Sequence, residues 1–183
     1  MHLCVPLNEF DGDLMKKWIF ILAILALVIA VSGCTNTDSA PANKTYSANG
    51  LSFIYPGYWS ELDKTAYQSV LEDKGELLTV MGDGSSTFGI ARLNKMKNQT
   101  NNTLDSLIGY YNATLNANGT EYVSEGHVTV DGVSGYKMTV KASENYLSGV
   151  LFIKSSTAYL VVFESSDNNQ KTLNQILNSL KIT

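Results

Sequence analysis

His127 follows Glu125 by two residues, so on a β-strand both side chains point to one face, the minimal beginning of a metal pair. One such pair falls short of the three or four ligands a metal site needs. A nucleophilic triad needs a positioned base, and His127 is the only histidine beyond residue 2. Carboxylates are more plentiful: Glu61 with Asp63, Glu72 with Asp73, and Glu76. Two of them would suffice for glycoside hydrolysis. All lie in polar or turn-like segments, where solvated surface carboxylates are the default. Gly82-Asp83-Gly84 has no following lysine or helix pattern, so it reads as a turn and not a phosphate loop. No Gly-x-Ser-x-Gly elbow and no cofactor motif is present. Tyr55, Tyr58, Trp59 and Tyr67 gather aromatic surface around one short segment. Aromatics with a polar tip are frequent at recognition surfaces. Neighbours in an extended segment point to opposite sides, so Tyr58 is expected outside and Trp59 in the core.

The remaining reactive residue is Cys34. It follows Lys16-Lys17, the apolar run Trp18–Val31 and the small pair Ser32-Gly33. A positive start, a hydrophobic stretch and small residues before a cut describe an export signal. The run is short for a membrane-spanning helix, which needs about 20 residues. Val31-Ser32-Gly33-Cys34 resembles the lipobox of microbial lipoproteins, which implies that Cys34 carries the lipid and becomes the first residue of the mature chain. The alternative is an uncleaved N-terminal anchor helix; both put the rest of the chain on the outer face of the membrane. Met15 is a natural start for this signal. Residues 1–14, with Glu9, Asp11 and Asp13, read as an upstream extension of the wrong charge sign.

Removing residues 1–33 lowers the basic residues from 13 to 11 and the acidic ones from 17 to 14, a net charge of −3. With no basic block, nucleic acid is not an expected partner. No cysteine follows Cys34, which excludes a disulfide framework and a zinc–cysteine site. About 140 residues are enough for one ordinary core. Asn-x-Ser/Thr triplets begin at Asn43, Asn98, Asn101, Asn112 and Asn118, acceptors that could carry glycans on an exported chain.

The elements that must hold these residues follow from periodicity. Residues 34–49 are small and polar and read as a lipidated tether with a random-coil span of roughly 20 Å. Residues 50–183 read as one domain. Leu51, Phe53 and Tyr55 alternate as a strand that stops at Pro56-Gly57; residues 60–75 are ambiguous, with a short strand around Tyr67, Val70 and Leu71 as one option. Strands at 76–81 and 88–93 form a hairpin. Leu104, Leu107, Ile108, Tyr111 and Leu115 mark an amphipathic helix with Thr103 as N-cap. Strands return at 122–130, around 136–140, at 150–153 and at 159–163, with Asp131-Gly132 as a two-residue hairpin turn. Leu173, Ile176, Leu177 and Leu180 form a closing helix, with Asp167 and Gln170 in capping-box spacing. The order excludes a doubly wound parallel sheet and predicts an α+β fold, a central antiparallel sheet flanked by helices.

This pattern resembles the PsbP family over roughly residues 46–182. The resemblance rests on Phe53-Ile54-Tyr55-Pro56 with Trp59, the mid-chain helix, Asp131-Gly132 followed by Gly135-Tyr136, and the closing helix after Val161-Val162-Phe163. It implies an α/β/α sandwich. The family's plant members are extrinsic subunits of photosystem II, its fold relatives include a nuclear Ran-binding factor, and many microbial members are exported. The resemblance implies a non-enzymatic interaction module; with the lipobox-like motif at Cys34 the expectation is a membrane-anchored domain that binds or scaffolds another envelope component, the fold alone not naming the partner. Two alternatives stand beside it. A small-ligand-binding lipoprotein would need a pocket lined by Tyr58, Trp59 or Tyr110. A hydrolase would need convergent carboxylates or His127 in a cleft.

Overall fold

A computed structural model describes residues 41–71, 74–94, 103–116 and 121–183. Among these residues ten strands form two antiparallel sheets. β1 (Lys44–Ala48), β2 (Leu51–Tyr55) and β10 (Lys181–Ile182) make a small sheet in the order β1-β2-β10. The large sheet joins β3 (Ser60–Glu61), β4 (Gly75–Gly82), β5 (Ser86–Leu93), β6 (Glu121–Val130), β7 (Val133–Ala142), β8 (Asn145–Lys154) and β9 (Thr157–Ser165), in the order β3-β4-β5-β9-β8-β7-β6. Three short helices accompany them among the described residues: α1 (Lys64–Leu71), α2 (Leu104–Asn116) and α3 (Gln170–Ser179). Among the described residues no helix is long and apolar enough to cross a membrane.

The alternation of each strand sorts its side chains onto two faces. On one face Phe88, Ile90, Val150, Phe152, Val161 and Phe163 pack with Phe53 of the small sheet, with Trp59, and with Leu173, Ile176, Leu177 and Leu180 of the closing helix. The 3.6-residue period of α3 therefore seals the main core, each of these side chains contributing about 1.5–3 kcal/mol by burial. On the opposite face Leu107 of α2 meets Leu151, Ala158 and Leu160, and Tyr67 and Leu71 of α1 lie against Leu77, Val80 and Ala91. The architecture is sheet-dominated, with helices thinner and shorter than a full layer on either side.

Three local expectations change. Lys44–Ala48, assigned by composition to the tether, is β1: Tyr46 pairs with Phe53 and is buried, so a single aromatic at the centre of a polar stretch suffices to dock it. Residues 64–71 are helical and not extended, because Tyr67 and Leu71 share a face at i, i+4 and Asp63 accepts the Thr65 N–H at 2.9 Å at the helix start. The closing helix is capped by Asn169, which accepts from the Thr172 N–H, and not by Asp167, whose carboxylate accepts from the Ser165 hydroxyl instead. Thr103 does cap α2: its Oγ1 accepts the Ser106 N–H while the Ser106 hydroxyl accepts the Thr103 N–H, both at 3.1 Å.

Candidate interaction surface

The two residues with the most obvious chemistry, Glu125 and His127, lie on β6, the last strand of the large sheet. The β6–β7 hairpin turns at Asp131 and Gly132, both at positive φ (46° and 79°), a turn that favours Asp-Gly. Asp131 also ties the hairpin to the chain's end. Its carboxylate accepts from the Ile182 N–H at 2.9 Å, from Lys154, and from Lys181 at 3.2 Å. Burial alone would raise this carboxyl; the bonds from Lys154, Ile182 and Lys181 outweigh it and bring its pKa to about 2.

Beyond that root the strand is open. From Glu121 to His127 every residue but Gly126 is exposed, and Tyr122 and Val123 each retain 40% of their surface. β6 bonds only to β7 within the sheet, so its outer side has no strand among the described residues. The register slips between Tyr122 and Ser124, a bulge that turns Tyr122 onto the face of Glu125. Glu125 then accepts the Tyr122 hydroxyl at 3.0 Å and the Tyr136 hydroxyl from β7. Asn112 of α2 and the Met138 sulfur stand within 3.2 Å and 2.8 Å of the Tyr122 hydroxyl. The bonds from Tyr136 and Tyr122 lower the Glu125 carboxyl. The Tyr136 phenol is raised, by its bond to Glu125 first and then by desolvation; the Tyr122 phenol is raised, by desolvation first and then by Glu125. The result is a carboxylate held ionised between two neutral phenols, a fixed charge framed by aromatic rings. This suits recognition better than proton transfer, which needs a group poised near the working pH.

His127 shares that face but meets the Tyr136 ring edge-on, with centroids 5.8 Å apart. Among the described residues no group of three His, Cys, Asp or Glu side chains is placed to hold a metal. The other carboxylates are dispersed into local tasks. Asp63 stands at the start of α1, Glu76 pairs with Arg92 on the surface, and Glu61 is exposed on β3. Glu72, Asp73 and Cys34 lie outside the described residues.

Of the aromatic candidates, Tyr58 is 51% exposed, whereas Trp59 keeps 3% and stacks on Phe163 with centroids 6.2 Å apart. Tyr110 lies on α2; its side chain is outside the described residues. One acid escaped the sequence argument. Glu164 on β9 is 6% exposed, accepts from Asn145 at 2.7 Å through one oxygen, and has no partner for the other among the described residues. Desolvation raises its carboxyl, and its charge helps to raise the Tyr67 phenol. A lone acid closing the apolar run Tyr159–Phe163 was the available signal.

The fold is similar to the solution structure of cyanobacterial PsbP (CyanoP) from Synechocystis sp. PCC 6803. The TM-score is 0.54 at 15% identity, over 84% of this chain and 99% of that one. It is also similar to the crystal structure of the Ran-binding protein Mog1p from Saccharomyces cerevisiae, with a TM-score of 0.50 at 10% identity over 79% and 96% of the two chains. At these identities the likeness concerns the fold alone. No curated relative matches the sequence. A family model described as PsbP-like protein matches residues 19–182, so with the antiparallel sheet and closing helix in place this chain belongs to the PsbP-like family.

Proposed function

We propose that this chain is a lipid-anchored, extracytoplasmic PsbP-like domain that binds or scaffolds an envelope component and performs no catalysis. The observation that carries the binding part is the outer side of β6, a long edge strand without a pairing strand among the described residues, beside exposed Tyr122 and Val123. Exposed edges invite pairing with another chain, and proteins that do not use them cover or shorten them. The Glu125 carboxylate between Tyr122 and Tyr136 supplies polar specificity next to that edge. The anchor rests on the lipobox-like sequence before Cys34. The family's α/β/α layering belongs to the same proposal, supported by α3 on one sheet face and α1 and α2 on the other.

A photo-crosslinking residue at Val123 in the native membrane tests the surface. Discrete adducts are expected there and none from the same probe at Lys64 on α1. Equal labelling at both sites would remove β6 as the binding edge. Cys34→Ala is expected to abolish lipid labelling and membrane retention. Turnover of esters, glycans or phosphoesters by the purified protein would overturn the non-enzymatic part.

A further inference from the structure

The chain enters the domain beside Tyr58, the most exposed tyrosine among the described residues. A Cβ at Gly57 would overlap the carbonyl oxygen of Ala42 and lie 3.0 Å from that of Pro41, so the backbone of residues 41–42 runs directly against the Pro56–Trp59 turn. Only glycine permits that approach. The Trp59 N–H closes the turn onto the Pro56 carbonyl at 3.0 Å, and the Trp59 ring is locked between Phe88 and Phe163. Tyr58, between Gly57 and Trp59, is thereby fixed outward, at the point where the chain arrives.

Six residues separate Cys34 from Pro41. Fully extended, the seven steps from Cys34 to Pro41 reach at most about 25 Å, at ~3.3–3.6 Å per step. With β1 withdrawn from the expected tether, a lipid on Cys34 keeps this turn close to the head groups. Tyrosine is suited to that zone, with an apolar ring for the acyl boundary and a hydroxyl for water. Ile54, also exposed, pairs with Thr45 in the same corner of the small sheet. Asp83 and Asp167 are near enough to add to the rise that desolvation gives the Tyr58 phenol, which favours a zwitterionic lipid surface over a strongly anionic one. Tyr58 leads into β3, and β6 lies at the other end of the large sheet, six inter-strand steps of about 4.8 Å away, or about 29 Å.

We infer that the Pro56–Trp59 turn is a lipid-contacting surface: Tyr58 rests in the head-group layer and orients the domain so that the β6 edge faces away from the membrane. This rests on the lipid anchor proposed above, and the experiment separates the two. The full chain is placed on phosphatidylcholine vesicles carrying a head-group nitroxide quencher, with a fluorophore at Ser60→Cys or at Val123→Cys. Flotation reads the anchor; quenching reads the orientation. The expected result is flotation of both chains, with quenching at residue 60 severalfold above that at 123. Tyr58→Ser should lower the quenching at residue 60 without changing flotation, and Gly57→Val, which displaces residues 41–42, should narrow the difference between the two sites. Equal quenching at 60 and 123 on floating vesicles, or an unaltered signal in Tyr58→Ser, overturns the lipid contact and leaves the anchor intact. A chain that does not float overturns both. If Ser60→Cys does not fold, Lys64→Cys on α1 takes its place under the same criteria.

Discussion

The large sheet ends in two different ways. At one end β4 is closed: Ser60 and Glu61 of β3 pair with Gly82 and Met81, the Leu62 N–H reaches the Val80 carbonyl at 2.9 Å, and the Gln68 side chain completes the edge. That amide accepts the Leu77 N–H at 2.7 Å and donates to the Gly75 carbonyl at 3.0 Å, imitating one residue of a missing strand. At the other end, β6 runs ten residues, and among the described residues no strand pairs with its outer side from Glu121 to His127. A backbone group that is buried must be paired, whereas one left in water need not be. The closed end therefore serves stability and the open end is available for binding.

Substitutions can break that contrast, and the largest effect belongs to the closed end. Trp59→Ala should cost about 3–5 kcal/mol by leaving a cavity against Phe88 and Phe163, measured as a fall in the denaturant midpoint. Trp59→Phe should cost far less, since the Trp59 Nε1 has no partner among the described residues. Asp131→Ala, at the rooted end of β6, should cost about 2 kcal/mol, because it strips Lys154 and the Ile182 N–H of their acceptor. This carboxyl is depressed on folding from 3.8 to about 2, so its contribution is present above its unfolded value and is lost as pH falls through about 2. Asp131→Asn should flatten the acid limb of the stability curve between about pH 4 and 2, and an unchanged limb would dismiss this knot as a source of acid sensitivity.

Gln68→Leu should cost about 1–3 kcal/mol by orphaning the Leu77 N–H and the Gly75 carbonyl. Native-state hydrogen exchange at Leu77 would show the edge opening. Glu164→Gln should stabilise the protein by about 1 kcal/mol at pH 7, since the raised carboxyl is costly when ionised. In the wild type that cost is relieved as pH falls from neutral toward the unfolded value, so the gain from Glu164→Gln should shrink over the same window; a gain that does not depend on pH would refute the assignment. The smallest effects belong to the open end. Tyr122→Ser should leave the midpoint within about 0.5 kcal/mol while abolishing the crosslinks from the probe at Val123. A large loss of stability there would erase the distinction between the two ends.

Much of the fold was legible because its signals are local. Leu173, Ile176, Leu177 and Leu180 announce one helix face, and Asp131-Gly132 announces a hairpin. What escaped depends on distant partners. Tyr46 makes a strand of a polar segment only because Phe53 lies opposite it. Gln68 is an unremarked helical glutamine until β4 lacks a neighbour. Tyr122 and Glu125, three residues apart, would fall on opposite faces of a regular strand, and only the bulge brings them together.

By itself the sequence determined the signal-like segment before Cys34, the absence of any later cysteine, the succession of strands and helices, and the likeness to the family, because composition, period and motif are properties of a linear chain. The tertiary structure alone decided which edge of the sheet stays open, that Glu164 is buried, and that Pro41 and Ala42 press against Gly57 beside Tyr58. Exposure and proximity arise only when segments far apart in the chain compete for the same space, and that competition is settled by packing.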